Sequence, residues 1–266
     1  MPRIDDIFRW LRVENRGGLM PFVTGGFPSL DVTAKVLPEL QKSGASIVEI
    51  GFPFSDPIAD GPVIASSMHQ ALERGVTPRD IFAVVRELRS SVSIGLVAMV
   101  SQSIVQRMGA ERFCDEAAAS GFDGLIIPDS DLAEAGSLAE AVASRGMTFT
   151  MLVAPTTSEG RLRLILERSS GFLYLLARVG TTGERHSFES GALAKRVALI
   201  RSASPLPVAV GFGISTAEHV REVVRTADAA IVGSALVRRM GDAPDPVVAA
   251  GAFIGQLAAG LDGRSD

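Results

Sequence analysis

The stretch Ile47-Val48-Glu49-Ile50-Gly51-Phe52-Pro53-Phe54-Ser55-Asp56-Pro57-Ile58-Ala59-Asp60-Gly61-Pro62 decides how the rest of the chain is read. It opens as a buried strand over residues 47–51, apolar except for one carboxylate, and then breaks into a loop punctuated by Pro53, Pro57 and Pro62. Burial disfavours the charged form of a carboxyl group, so Glu49 should titrate well above an ordinary glutamate. Asp60 stands in a polar loop where ionisation is easier. Two carboxyl groups in unlike surroundings suit proton transfer, one exchanging protons near neutrality and one kept as a fixed anion. A satisfied strand-end Glu and a loop-capping Asp are the plainer alternative, and the Pro/Gly-rich setting favours chemistry.

Outward from this segment, strand-like and helix-like runs alternate. Before it lie an amphipathic helix over 4–13, with Ile4, Ile7, Phe8 and Leu11 on one face, and a first strand over 19–24. A helix over 30–42 follows, which Pro38 should kink or locally unwind. After the segment come a short helix over 63–73 inserted in the loop, an outer helix over 80–90, a third strand over 94–100 and one helix over 103–120. The second half repeats the rhythm, with strands over 124–127, 148–153, 172–176, 208–210 and 229–232. Its helices cover 132–144, 159–169, a segment ending at Ser202, 216–225 and 246–261, and a short one opens at Gly233-Ser234. Short apolar strands separated by helices read as parallel and covered on the outside. Eight such units without a linker predict an α/β protein, a single (β/α)8 TIM barrel forming one domain over 1–266. An extra N-terminal helix and short inserted helices after strands two and eight complete it. A doubly wound open sheet is the alternative, which has no need for so regular a count.

Composition agrees with a globular chain. Of 266 residues, 47% are hydrophobic and 21% charged, enough apolar material for a substantial core. The mean hydropathy is +0.28, yet no apolar run is long enough to span a bilayer. The start, Met1-Pro2-Arg3-Ile4-Asp5-Asp6, carries acids where a signal peptide has basic residues. A lone cysteine, Cys114, cannot form an internal disulfide and fits a reducing compartment. The formal charge of −4 argues against broad nucleic-acid binding. The expectation is a cytoplasmic protein with no membrane or nucleic-acid partner.

In a barrel of this kind the loops after the C-terminal strand ends build the site. Glu49 and Asp60 fall there, and so do three glycine-bearing loops: Thr182-Gly183, Gly211-Phe212-Gly213-Ile214-Ser215 and Gly233-Ser234. Glycine lets backbone N–H groups approach an anion, and a helix opening at Ser234 points its positive end the same way, so a phosphate is expected. Arg178 and Arg185 suit a surface role as well as an added charge. His69, His186 and His219 lie far apart without metal-ligand spacing, and no Rossmann or P-loop fingerprint occurs. The sequence implies no metal and no cofactor.

The wording from Glu49 to Pro62 resembles the signature of the tryptophan synthase alpha subunit. Pro21-Phe22-Val23-Thr24, Gly75-Val76-Thr77, Leu125-Ile126-Ile127-Pro128-Asp129, Tyr174-Leu175-Leu176, Thr181-Thr182-Gly183, the Gly211–Ser215 run and Gly233-Ser234-Ala235 extend the likeness in the right order. The resemblance implies cofactor-free retro-aldol cleavage of indole-3-glycerol phosphate to indole and glyceraldehyde 3-phosphate. It also implies partnership with a beta subunit in an alpha2-beta2 heterotetramer. By resemblance, Glu49 is the general acid/base and Asp60 holds the indole N–H. Thr182 holds Asp60 when a loop over 180–191 closes, and Tyr174 lines the site near Glu49. Phe22, Ile64, Leu125 and Ile127 are candidates for the indole slot, and Gly183, Gly213, Gly233 and Ser234 for the phosphate.

Two segments depart from the family's wording. Ala98-Met99-Val100-Ser101-Gln102-Ser103 replaces a tyrosine-rich run ending in Asn-Pro, and Asp129-Ser130-Asp131 replaces Asp-Leu-Pro. Lost prolines raise the entropy cost of ordering those loops, so the sequence predicts weak binding to a typical beta subunit. A stand-alone or diverged lyase, or a non-catalytic barrel acting as an activating subunit, therefore stays open at this stage.

Overall fold

The computed structural model describes residues 2–57, 61–177, 190–211 and 213–261. Its strands are β1 (Gly18–Thr24), β2 (Ile47–Gly51), β3 (Gly95–Met99), β4 (Gly124–Ile126), β5 (Thr148–Thr150), β6 (Leu152–Val153), β7 (Leu173–Leu176), β8 (Val208–Gly211) and β9 (Ala229–Val232). All pair in parallel, in the order β5-β4-β3-β2-β1-β9-β8-β7-β6. The two edges are consecutive in sequence, separated by Met151 alone. β5 pairs with β4 and β6 with β7, so the run over 148–153 meets one neighbour with its first half and the other with its second. The sheet thereby closes into a TIM barrel. The single strand expected over 148–153 is two, because a closing strand changes partners where the barrel's stagger demands it.

The helices match the sequence reading closely: α1 (Arg3–Val13), α2 (Leu30–Lys42), α3 (Pro62–Glu73), α4 (Pro78–Leu88), α5 (Gln102–Met108), α6 (Ala110–Ser120), α7 (Leu132–Ala143), α8 (Glu159–Arg168), α9 (Ser190–Ala203), α10 (Ala217–Val224), α11 (Ser234–Asp242) and α12 (Pro246–Ala258). α2 continues through Pro38 as one α-helix, so of the two outcomes expected there the local unwinding does not occur. One expectation fails outright. The helix expected over 103–120 is two, broken at Gly109, whose φ of 84° lies in the left-handed region that an α-helix cannot include. Helix starts carry the side chains their position requires. Thr77 and Asp80 form a capping box on α4, and the bonds from Thr77 hold the Asp80 carboxyl below its usual range. Asp245 accepts from Val247 and Val248 at the head of α12.

Two apolar layers follow from strand alternation. Met20, Ile47, Val97, Ile126, Tyr174, Ala209 and Ile231 face the barrel interior, where α1 adds Ile4, Phe8 and Leu11 from the N-terminal end. Phe8 meets Phe172 with ring centroids 5.7 Å apart, so α1 stops that end like a plug. It is latched there by Arg3, which bonds the Ser93 carbonyl at 2.8 Å and pairs with Asp123 at 3.3 Å. Val48, Ile50, Leu96, Ala98, Leu125 and Ile127 face outward against the helices. Among the described residues, no helix is long and apolar enough to cross a membrane.

Directly behind the end of β2, Phe52, Phe82, Phe113 and Phe122 form an aromatic cluster, with centroids of 5.3 Å for Phe52–Phe82 and 5.7 Å for Phe52–Phe113. Phe113 is fully buried. Deleting its ring would leave a cavity between α4, α6 and the strand that carries Glu49. Phe113→Ala is expected to lower unfolding free energy by about 3–5 kcal/mol, read as a fall in the urea midpoint at unchanged slope.

Candidate active site

Glu49 lies in the middle of β2, in register with Phe22 on β1 and Val97 on β3. Its neighbours two residues away and across the ladder, Ile47 and Val97, both face the barrel interior, so its carboxyl group does too. The residue is 0% exposed, and neither carboxylate oxygen has a hydrogen-bond partner. Desolvation pushes its pKa well above that of an ordinary glutamate. Nothing structural is gained from such a group, since a leucine would fill the position without an unmet polar atom. The arrangement is a carboxyl group held in an apolar well on the barrel-interior face of β2, its ionised form disfavoured by burial.

Above Glu49, glycines make room. A Cβ on Gly51 would fall 2.5 Å from the Phe22 ring, and one on Gly211 would strike the Tyr174 ring and hydroxyl. Phe22 and Tyr174 therefore pack closely over two strand ends that carry no side chain. A Cβ at Gly233 would meet only Phe22, at 3.8 Å. Gly213 has a φ of 77°, a left-handed backbone that suits glycine.

α11 begins directly after Gly233, whose carbonyl accepts from the Leu236 and Val237 N–H groups, so the N–H groups of Ser234 and Ala235 are the ones that precede the first helical bond. The Ser234 hydroxyl at that end is buried without a partner. An unmet hydroxyl at a helix N-terminus, beside the first two N–H groups of the helix, is chemistry for an anion. Ile64 on α3 is buried, and its carbonyl accepts from Ser67, which in turn bonds Thr24 at the end of β1. That chain of bonds seats α3 on the barrel rim.

Two of the expected pocket residues are displaced from it. Leu125 and Ile127 face the outer layer, and the inward residue of β4 is Ile126, in register with Met99. Ile126 is the inward residue that sequence reasoning missed, whereas Met99 beside it was expected at the indole end of the pocket. Counting by twos from Glu49 and carrying the count across the ladder finds Ile126. Asp60, Thr182 and Gly183 lie outside the described residues, as do Arg178, Arg185 and His186.

His69 is exposed and faces Glu73 at 3.1 Å, while His219 accepts from the Ser215 N–H at 3.4 Å. Among the described residues, no group of three or more His, Cys, Asp or Glu could hold a metal ion. A groove of about 560 Å³ runs between α11 and α12, but its lining includes no barrel-interior residue.

Comparison with known proteins adds an independent line. The family model described as tryptophan synthase alpha chain matches residues 8–252. A tryptophan synthase alpha chain from a Synechococcus species is 44% identical over 258 residues, covering 96% of each chain. One from Chloroflexus aurantiacus is 44% identical over 260 residues, covering 97% of each. Among solved structures, tryptophan synthase from Mycobacterium tuberculosis superposes with a TM-score of 0.90 at 34% identity, covering 97% of this chain and 98% of that one. The alpha subunit from Legionella pneumophila gives 0.90 at 31% identity, covering 98% and 99%. With its fold and nearly its whole length in common with these proteins, the chain belongs to the tryptophan synthase alpha chain family.

Proposed function

We propose that Glu49 and Asp60 carry the proton chemistry by which this alpha chain, a carbon–carbon lyase, cleaves indole-3-glycerol phosphate to indole and glyceraldehyde 3-phosphate. The observation that supports the assignment most is the Glu49 carboxyl itself, fully buried with both oxygens unpartnered. Burial raises the Glu49 pKa, so the group holds a proton more readily than an ordinary glutamate and can give that proton to indole C3. Positive charge then moves to the ring nitrogen, where Asp60 stabilises it through the indole N–H. The glycerol hydroxyl next to the breaking bond loses its proton to the now anionic Glu49. The bond electrons return to the ring, and the hydroxyl carbon leaves as the aldehyde of glyceraldehyde 3-phosphate. Glu49 ends the cycle as it began.

The phosphate belongs at Gly213, Gly233 and Ser234, with Gly183 from the neighbouring loop, and the ring between Phe22, Tyr174 and Ile64. Thr182 steadies Asp60 in this reading. Its partner is a tryptophan synthase beta subunit in an alpha2-beta2 assembly, a reading supported by the likeness to the Mycobacterium tuberculosis structures. A cytoplasmic biosynthetic role belongs to the same proposal. Neither the stand-alone lyase nor the non-catalytic barrel gains support from the comparisons, whose curated relatives are alpha chains along nearly their full length.

Glu49→Gln keeps the shape and removes the proton. Its lyase turnover should fall by at least about 10²–10⁴-fold, because one group serves both transfers. Near-normal turnover in a folded variant would remove Glu49 from the mechanism. The same variant has a signature in stability. A folded-state pKa raised above the ordinary 4.5 means that the wild type keeps its full stability below that pH and loses it progressively as pH rises toward the folded value. The melting temperature of Glu49→Gln minus that of wild type should therefore grow as pH is raised from 4 to 8. A flat difference would mean that Glu49 is not held neutral.

A further inference from the structure

The ladder between β3 and β4 ends at Met99 and Ile126, but the bonding between the two segments does not. The Val100 N–H donates to the Ile126 carbonyl at 3.0 Å. Beyond it, the Asp129 carboxylate takes the Ser101 hydroxyl on one oxygen and the Gln102 N–H on the other, both at 2.8 Å. Ser101 is itself buried and caps α5 by accepting from the Ser103 N–H. The Gln102 amide then donates to Glu134 in the first turn of α7, at 2.6 Å. The starts of α5 and α7 are thus tied through one carboxylate and one amide. Ser101 and Gln102 stand where this chain departs from its family's wording.

The position of this clamp has a consequence for the pocket. In the closed ring, β3 and β4 lie diametrically across from β8 and β9, whose ends carry Gly213, Gly233 and Ser234. A substrate anchored by its phosphate at β8 and β9, reaching past Glu49 on β2, lays its other end on Met99 and Ile126. We infer that Asp129, through Ser101 and Gln102, is a positioning residue for the ring end of the pocket, fixing the backbone that carries the Met99–Ile126 wall. The inference rests on the site reading above.

Two fragments of the substrate test it separately: indole for the ring end and glycerol 3-phosphate for the phosphate end. Dissociation constants for both would be measured on wild type, Asp129→Ala, Ser101→Ala and Ser101→Thr, alongside KM and kcat for indole-3-glycerol phosphate. Losing a charge-assisted bond that orders the wall should weaken indole about tenfold, with glycerol 3-phosphate unchanged within about twofold. KM should rise more than kcat falls, because binding of the ring is felt in ground and transition states alike. Ser101→Thr keeps the hydroxyl and should behave as wild type. Should Asp129→Ala not fold, the Ser101 pair carries the same comparison. Equal weakening of both fragments, no weakening of either, or no rescue by threonine would overturn the inference. Wild type that binds glycerol 3-phosphate but no indole, or neither, would instead overturn the reading of the site on which it rests.

Discussion

One buried carboxyl group sets the terms for everything around it. Glu49 has water on no side and a partner for neither oxygen, so its ionised form is strongly disfavoured. A site so unfavourable for charge survives only in a frame that stays closed when the group is stressed. The barrel provides that frame by surrounding β2 with paired strands on both sides and an apolar layer on each face. The aromatic cluster of Phe52, Phe82, Phe113 and Phe122 backs the strand at the point where it ends. Stability spent on one residue is a common cost of active sites, which tolerate strain or desolvation that elsewhere would be replaced.

Much of this was legible in the amino-acid sequence. Strand and helix order follows from apolar runs bounded by glycine and proline, and the carboxylate inside 47–51 is plain because nothing else in that strand is polar. Three features were not legible, each for a physical reason. The strand over 148–153 changes partners at Met151, which depends on barrel closure and leaves no local mark. α5 and α6 read as one helix because Gly109 interrupts a pattern that a single glycine inside a helix would also fit. Leu125-Ile126-Ile127 is apolar at every position, so periodicity cannot say which residue faces inward. Only pairing with β3, itself phased by Glu49 on β2, assigns Ile126 to the interior.

The loops after β3 and β4 show how an argument from composition can miss its compensation. Loss of proline does free a chain, and both segments lack the prolines that the resemblance led one to expect there. Here the segments are ordered by bonds between them instead. Ser101 and Asp131 cap α5 and α7, Asp129 joins the two loops, and Gln102 reaches Glu134. Polar side chains that look like flexible substitutes in a linear reading are cross-links once the barrel brings the two strand ends together. The entropy argument for weak binding to a beta subunit accordingly loses its premise.

The two ends of the barrel explain why chemistry is confined to one of them. At the N-terminal end Ile4, Phe8 and Leu11 fill the interior against Phe172, and Arg3 holds the helix down through Ser93 and Asp123. Asp123 is itself mostly buried, yet it accepts from the Leu96 N–H and meets both Arg89 and Arg3, so its charge has partners on every side. At the C-terminal end the strands finish in Gly51, Gly211 and Gly233, with Phe22 and Tyr174 laid across the first two. At the first end Asp123 is given partners although burial still raises its pKa, and at the other the Glu49 carboxyl group has none. The unsatisfied group lies on the barrel-interior face of β2, whose end at Gly51 is crowded by Phe22. That asymmetry separates Asp123, a carboxylate held by its partners, from Glu49, a carboxyl group with none.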